Sequence, residues 1–423
     1  MVVMMQKMQN LFNNRKVFYS VIIALTLLFG VFSFLTIKSY SNKEEPKTKE
    51  KVLERETFTT YISDGNGHYK KYTSADGTLY PSGYAYNQGI SYCEDLDGNR
   101  LDIVPTYANN KFTLESDKTA FCYLYFDIKL TASEKLIASG ELWQSGLEDD
   151  GYRYVGSGAY NSETTPSNFI CFGTTDKTEC KNNEAKYMYR IIGVFPDNNG
   201  NQHLKLISLK QLGAYAWNVD DTTDTDWADS DMYAGLNGSY FLTNTAYDYL
   251  QNETWLNKIE DWTWSAVNTK TYSNSGLDYY SITTEVMYLH EMNATSKENY
   301  CGACVIGEWS TPTAKIGLMY ASDYQMSLGS SAVSYTSESD YESLVTGWMH
   351  QSNNDITADT SEWTLSRYGD FGGDFLAWRV HSDGYVIYNG VLNTYGVRPV
   401  FHLTSDAIIS GGNGEYTNPY ILE

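Results

Sequence analysis

Positive charge is scarce in this sequence: 30 Lys and Arg stand against 52 Asp and Glu, a formal net charge of −22. Binding a phosphate backbone needs a basic footprint, so nucleic acid is excluded as a partner. Histidine is scarce too, with 6 in 423 residues, scattered without metal-ligand spacing. No G-x-S-x-G elbow occurs, which removes the usual signature of a serine hydrolase. Repeats at a solenoid period are absent. Cysteine stops early, with none after Cys304.

Aromatic residues are plentiful instead, with 37 Tyr and 10 Trp. Together with Asn, Ser, Thr, Asp and Gly they suit β-rich extracellular domains with polar aromatic surfaces, although most rings are expected in cores and on strand faces. The 6 cysteines fall as three close pairs, Cys93/Cys122, Cys171/Cys180 and Cys301/Cys304. An even count behind an export signal favours disulfides, and local pairing is the simplest of the possible connectivities. On the loop-entropy model a 93–122 bridge contributes about 3.5 kcal/mol and a 171–180 bridge about 2.7 kcal/mol.

Residues 1–16 are polar and read as a cytoplasmic N-terminus. Val17–Ile37 carry no charge and are long enough to span a bilayer as an uncleaved signal anchor. A cleavable signal peptide is the alternative, but the small-residue pair Ser39/Ser41 matches a cleavage site poorly. This predicts a single-pass membrane protein with its body outside. Residues 38–56 are charged and poor in aromatics, which predicts a stalk that is flexible, or helical only near its end.

Residues 57–130 predict a small all-β domain, with two sheets stapled by a disulfide in an immunoglobulin-like sandwich. Asp64-Gly65-Asn66-Gly67 is a hairpin turn between Phe58–Ile62 and Tyr69–Tyr72. Asp95-Leu96-Asp97-Gly98-Asn99 has half the spacing of a calcium loop. The EF-hand template fails at both of its ends, so a plain turn is expected there. Residues 131–149 open with Thr131-Ala132-Ser133-Glu134, a capping signal, and predict one amphipathic connecting helix.

Residues 150–423 predict a larger α+β domain. Strands are expected at Tyr189–Phe195, Leu204–Leu209 and Lys315–Tyr320, and helical signals run from Asp231 to Leu250. Ala377–His381 and Tyr385–Tyr388 flank the turn Ser382-Asp383-Gly384. Tyr395–Leu403 reads as the closing strand, with Val397, Phe401 and Leu403 on one face and Arg398, Val400 and His402 on the other. Pro399 lacks an N–H, which predicts an edge or a bulge there.

Several constellations invite a chemical reading. Cys301-Gly302-Ala303-Cys304 has dithiol spacing, but Val305–Pro312 is a poor helix, so a structural disulfide is expected rather than a redox catalyst. Asp220, Asp221, Asp224 and Asp226 form a dense acidic run whose oxygens suit Ca²⁺, with a solvated acidic loop as the plainer reading; no other cofactor is indicated. Trp262, Trp264 and Trp348 lie in loop-like surroundings and are candidates for stacking on a ligand. Trp363 and Trp378 sit in strands and are expected in the core. Arg398 is expected to pair with a buried carboxylate such as Asp323.

The motifs YRIIGVF (189–195), LKLISLKQLG (204–213), LNGSYF (236–241), KIGLMYASDY (315–324), EWTLS (362–366), YGVRPVFHL (395–403) and NPYIL (418–422) carry a resemblance. They resemble a group of uncharacterised, membrane-anchored surface proteins from gut Firmicutes. The C-terminal domain of that group looks distantly similar to the C-type-lectin-like, formylglycine-generating-enzyme-like fold. The strand Cys122–Phe126 is also similar to one in the group. The prepilin leader motif of many relatives is missing here. The distant enzyme's activity needs paired cysteines near the terminal strands, and this chain has none there. The resemblance thus implies an extracellular lectin-like domain with a binding or adhesion role towards glycan or protein, and no enzymatic activity. A minor-pilin-like or envelope assembly component, or an enzyme on envelope polymers, are the alternatives.

Overall fold

Turn chemistry and alternation set the first sheet. In a computed structural model, Phe58–Ser63 and Tyr69–Tyr72 pair antiparallel, and the Asp64 N–H closes their connection by donating to the His68 carbonyl. The structure describes residues 50–423 except 53–57, 66, 74–79, 82, 109–110, 116–118, 148–150, 158–164, 221–226, 272–283, 293–303, 330–346, 352–360 and 372–373. It divides into two units, Met1–Lys129 and Leu130–Glu423.

In the first unit the strand Phe121–Ile128 alternates by the pleat. Cys122, Leu124 and Phe126 are buried, while Tyr123 and Tyr125 stand half-exposed on the other face. This strand pairs with Phe58–Ser63 on one side and with Tyr92–Glu94 and Tyr84–Tyr86 on the other. A second, three-stranded sheet holds Glu50–Val52, Lys111–Glu115 and Thr106–Ala108. Phe112 and Leu114 join the core residues Ile62, Leu124 and Phe126. The loop Asp95–Asn99 is a hydrogen-bonded turn, in which Asp95 Oδ1 accepts from the N–H groups of Asp97 and Asn99 at 2.9 Å each.

Three expectations for this region need correction. The pairing of Phe58–Ser63 with Phe121–Ile128 is parallel, unlike the antiparallel sheets of an immunoglobulin-like sandwich. The Cys93–Cys122 disulfide does not staple two sheets, because these residues are direct partners on neighbouring strands of one sheet. Within the expected stalk, Glu50–Val52 form a paired strand, neither flexible chain nor helix.

Among the described residues the second unit is built on two seven-stranded sheets. One runs Val400–His402, Gln202–Ser208, Met188–Pro196, Phe169–Cys171, Tyr420–Leu422, Ile409–Gly411, with Tyr152–Arg153 added to Met188–Pro196. The other centres on Glu362–Phe371, which neighbours Asp374–Val380, Ala266–Thr271 and Thr394–Gly396. Ile191, Leu206 and Phe401 lie in the core of this unit. The expected closing strand is two strands. Thr394–Gly396 belongs to one sheet and Val400–His402 to the other, with Val397-Arg398-Pro399 crossing between them. Both faces of the crossing are covered, so Arg398, Val400 and His402 are as buried as Val397, Phe401 and Leu403.

The α+β expectation gives way to a mostly β architecture with few, short helices. Among the described residues the longest, Ala132–Ser139 and Thr284–Glu291, have 8 residues each. Ala132–Ser139 starts at a Thr131/Glu134 capping box and stops at Gly140, whose φ of 73° ends it before Leu142. It docks on the first sheet of its own unit through the Ser133 hydroxyl, which donates to the Gln202 carbonyl. The anchor expected at Val17–Ile37 and the cytoplasmic segment 1–16 lie outside the described residues. Among the described residues no helix is long and apolar enough to cross a membrane. The described residues therefore give the expected transmembrane helix and single-pass topology no support.

Candidate functional site

A glycine organises the candidate site. Gly193 sits in the otherwise bulky strand Met188–Pro196, where the register shifts. A Cβ there would run into the Tyr152 carbonyl oxygen, so its absence lets Tyr152–Arg153 lie close against the strand. The registers then align Arg153 with Gly193, Gly193 with Lys205 and Lys205 with His402. Residues opposite one another share a face of the sheet, so Arg153, Lys205 and His402 form one row across it.

The row lines a cavity of about 680 Å³, within the roughly 300–1,000 Å³ range of small-molecule sites. Asp323, in the first turn of the helix Ala321–Met326, lines it as well. Lys205 Nζ donates to Asp323, and Arg153 Nε lies 3.8 Å from the same carboxylate. The Tyr320 N–H also donates to Asp323, at 3.1 Å. All three charged side chains are 2% exposed, so the charges are desolvated and mutually dependent. The Phe195 ring lies 4.8 Å from the Arg153 guanidinium and 5.2 Å from Lys205 Nζ.

Trp262 forms the wall. It belongs to the short strand Trp262–Thr263, paired with Thr313–Ala314, and its ring stacks on His402 with centroids 3.7 Å apart. His203 meets the same indole edge-on at 5.4 Å. At the mouth, the turn after Pro196 is held by Asp197, which accepts from the N–H groups of Asn199 and Asn201 at 2.8 Å each. Burial pushes the Asp197 carboxyl up, but the hydrogen bonds from Asn201 and Asn199 prevail and hold it at about 2.

Burial pushes the Lys205 ammonium down, with Asp323 opposing. Burial, then Lys205 and His203, hold His402 well below the usual imidazole range, so it is neutral at pH 7. Behind the cavity, burial raises the Glu291 carboxyl to about 7 even though Ser322 and Ser366 donate to it. The arrangement offers an aromatic wall, a neutral imidazole and a floor of buried, paired charges. Such a site can hold a ring and orient a polar group.

Of the tryptophans expected at the surface, Trp262 lines the cavity half-buried. Trp264 and Trp348 are fully buried, which corrects their expected placement. Trp264 Nε1 donates to the Ala314 carbonyl at 2.9 Å, and Trp348 Nε1 to the Tyr154 carbonyl at 3.0 Å. Trp363 and Trp378 are buried. Arg398 pairs with Glu362 at 2.7 Å and not with Asp323, because the crossing segment aims it at the other sheet.

Asp220 is exposed, and Asp221, Asp224 and Asp226 lie outside the described residues. Among the described residues no group of three or more His, Cys, Asp or Glu is placed to hold a metal ion. The Cys93–Cys122 and Cys171–Cys180 disulfides are present. Cys301 lies outside the described residues, and Cys304 begins the strand Cys304–Ser310.

Sequence reasoning missed Arg153, Lys205 and His402 as a group. The available signals were Gly193 inside a bulky strand and Lys205 inside the apolar run Leu204–Leu209, each at odds with a strand covered on both faces. No family model, no curated protein and no solved structure matches this chain.

Proposed function

We propose that this chain is a binding protein, and that its larger unit takes a saccharide in the cavity above the Arg153–Lys205–His402 row. One observation carries the reading: the Trp262 indole forms an aromatic wall beside polar and charged groups in a cavity of about 680 Å³. Sugar rings present apolar C–H faces to aromatic rings and hydroxyls to polar partners, which this wall and floor supply together. Two disulfides fit an oxidising compartment outside the cytoplasm. The resemblance of the 189–422 motifs to Firmicutes surface proteins supports an exposed, adhesive role and a non-enzymatic one. Screening the full chain on a glycan array tests this reading. Retention of a defined saccharide set is expected, and a blank array would contradict it.

A further inference from the structure

We propose that Lys205 and Asp323 become joined by an amide bond between Lys205 Nζ and Asp323 Cγ, a cross-link that the chain makes from its own side chains. The inference concerns the buried pair itself and holds whether or not a saccharide is taken above it.

Geometry brings the reactants together. Lys205 Nζ donates to Asp323 Oδ2, from a strand and a helix whose residues stand 118 apart in sequence. Both side chains are 2% exposed. Rings surround the amine, with centroids 4.5 Å (Tyr320), 5.2 Å (Phe195) and 6.0 Å (Trp264) from Nζ. Two groups held in contact do not have to find one another, which greatly speeds an intramolecular reaction. Burial also favours the product, because an ammonium and a carboxylate are costly to desolvate and a neutral amide removes both charges.

A group able to carry the proton stands beside the pair. Glu291 is buried, and it accepts from the N–H of Ser322, the residue before Asp323, and from the Ser366 hydroxyl. Its carboxyl interacts electrostatically with both Asp323 and Lys205. Burial raises that carboxyl to about 7, so near neutral pH it can both take and give a proton. Burial likewise pushes the Lys205 ammonium down, towards the neutral amine that acts as nucleophile.

The step balances without a co-reactant. The ammonium gives one proton to the Asp323 carboxylate, leaving an amine and an acid. The Nζ–Cγ bond then forms and the Cγ–Oδ1 bond breaks. Two protons from Nζ end on Oδ1, the second carried by Glu291, and Oδ1 leaves as water. Oδ2 stays as the amide carbonyl and keeps the Tyr320 N–H, 3.1 Å away, as its donor.

The test is intact mass spectrometry of the reduced full chain, followed by tryptic mapping. The wild-type chain is expected to be lighter than its sequence by one water, to resist cleavage after Lys205, and to yield a branched peptide joining the segments around Lys205 and Asp323. Lys205→Arg keeps a cation against Asp323 but has no amine to acylate, so it should show the full sequence mass. Glu291→Gln keeps hydrogen-bonding atoms and loses the proton carrier, so it should stay folded by circular dichroism and lose most of the linked form. Wild type at full mass, with Lys205 and Asp323 in separate linear peptides, would overturn the proposal. So would an equal loss of water in Lys205→Arg, which would place the dehydration elsewhere. Undiminished linkage in a folded Glu291→Gln variant would overturn the role given to Glu291.

Discussion

Lys205 and His402 stand opposite one another on adjacent strands, although 197 residues of sequence separate them (402 − 205). Their pairing brings an ammonium and a neutral imidazole to one wall of one cavity, and it depends on the chain crossing between sheets at Val397-Arg398-Pro399.

The Lys205–Asp323 pair should be expensive to break from one side. Lys205→Met leaves a buried carboxylate short of its partner and is expected to cost about 3–5 kcal/mol in urea unfolding. Adding Asp323→Asn, which still offers an acceptor to the Tyr320 N–H, should recover part of that loss. A double variant no more stable than the sum of the two single ones would show the pair to be uncoupled.

Gly193→Ala probes the row directly. The added methyl meets the Tyr152 carbonyl oxygen, so the Tyr152–Arg153 strand must move. A loss of about 2–3 kcal/mol is expected from overpacking. Cavity binding should be lost even where the variant stays folded, as read by titration at low temperature.

Glu291 gives a pH signature. Its folded-state value of about 7 lies above the ordinary 4.5, so the native state binds a proton that the unfolded chain has released. The stability it contributes is full below about 4.5, falls as pH rises, and is gone above about 7. The span is on the order of 3 kcal/mol. Unfolding of wild type and Glu291→Gln across this window should show the slope in the former and its loss in the latter. Identical slopes would contradict the assignment.

Peptide mapping under non-reducing conditions should return the linked pairs Cys93–Cys122 and Cys171–Cys180. Replacing Cys171 and Cys180 by Ser is expected to cost about 2–4 kcal/mol. Free thiols at these four positions would contradict the structure.

Much of the local structure was legible. The turn at Asp64–Gly67, the hairpin at Ser382-Asp383-Gly384 and the cap at Thr131 are local rules, and each appears where its residues stand. Long-range choices were not legible. Alternation along Tyr395–Leu403 predicts one strand with two unlike faces, but a strand that changes sheets at Pro399 is buried on both, and period-2 logic fails there. Arg398 could be foreseen as seeking a carboxylate, but Glu362 and Asp323 are indistinguishable until the sheets are assembled. Trp264 and Trp348 looked loop-borne and thus exposed, yet each donates its indole N–H to a buried carbonyl. The candidate row needed three registers at once, and no local pattern encodes those.

The most direct test of the central claim is titration of wild type and Trp262→Ala with the saccharide that the array selects. Trp262 is half-buried, so its loss should cost only about 1–2 kcal/mol of stability while weakening binding at least about ten-fold. Unchanged affinity in a folded Trp262→Ala variant would contradict the account.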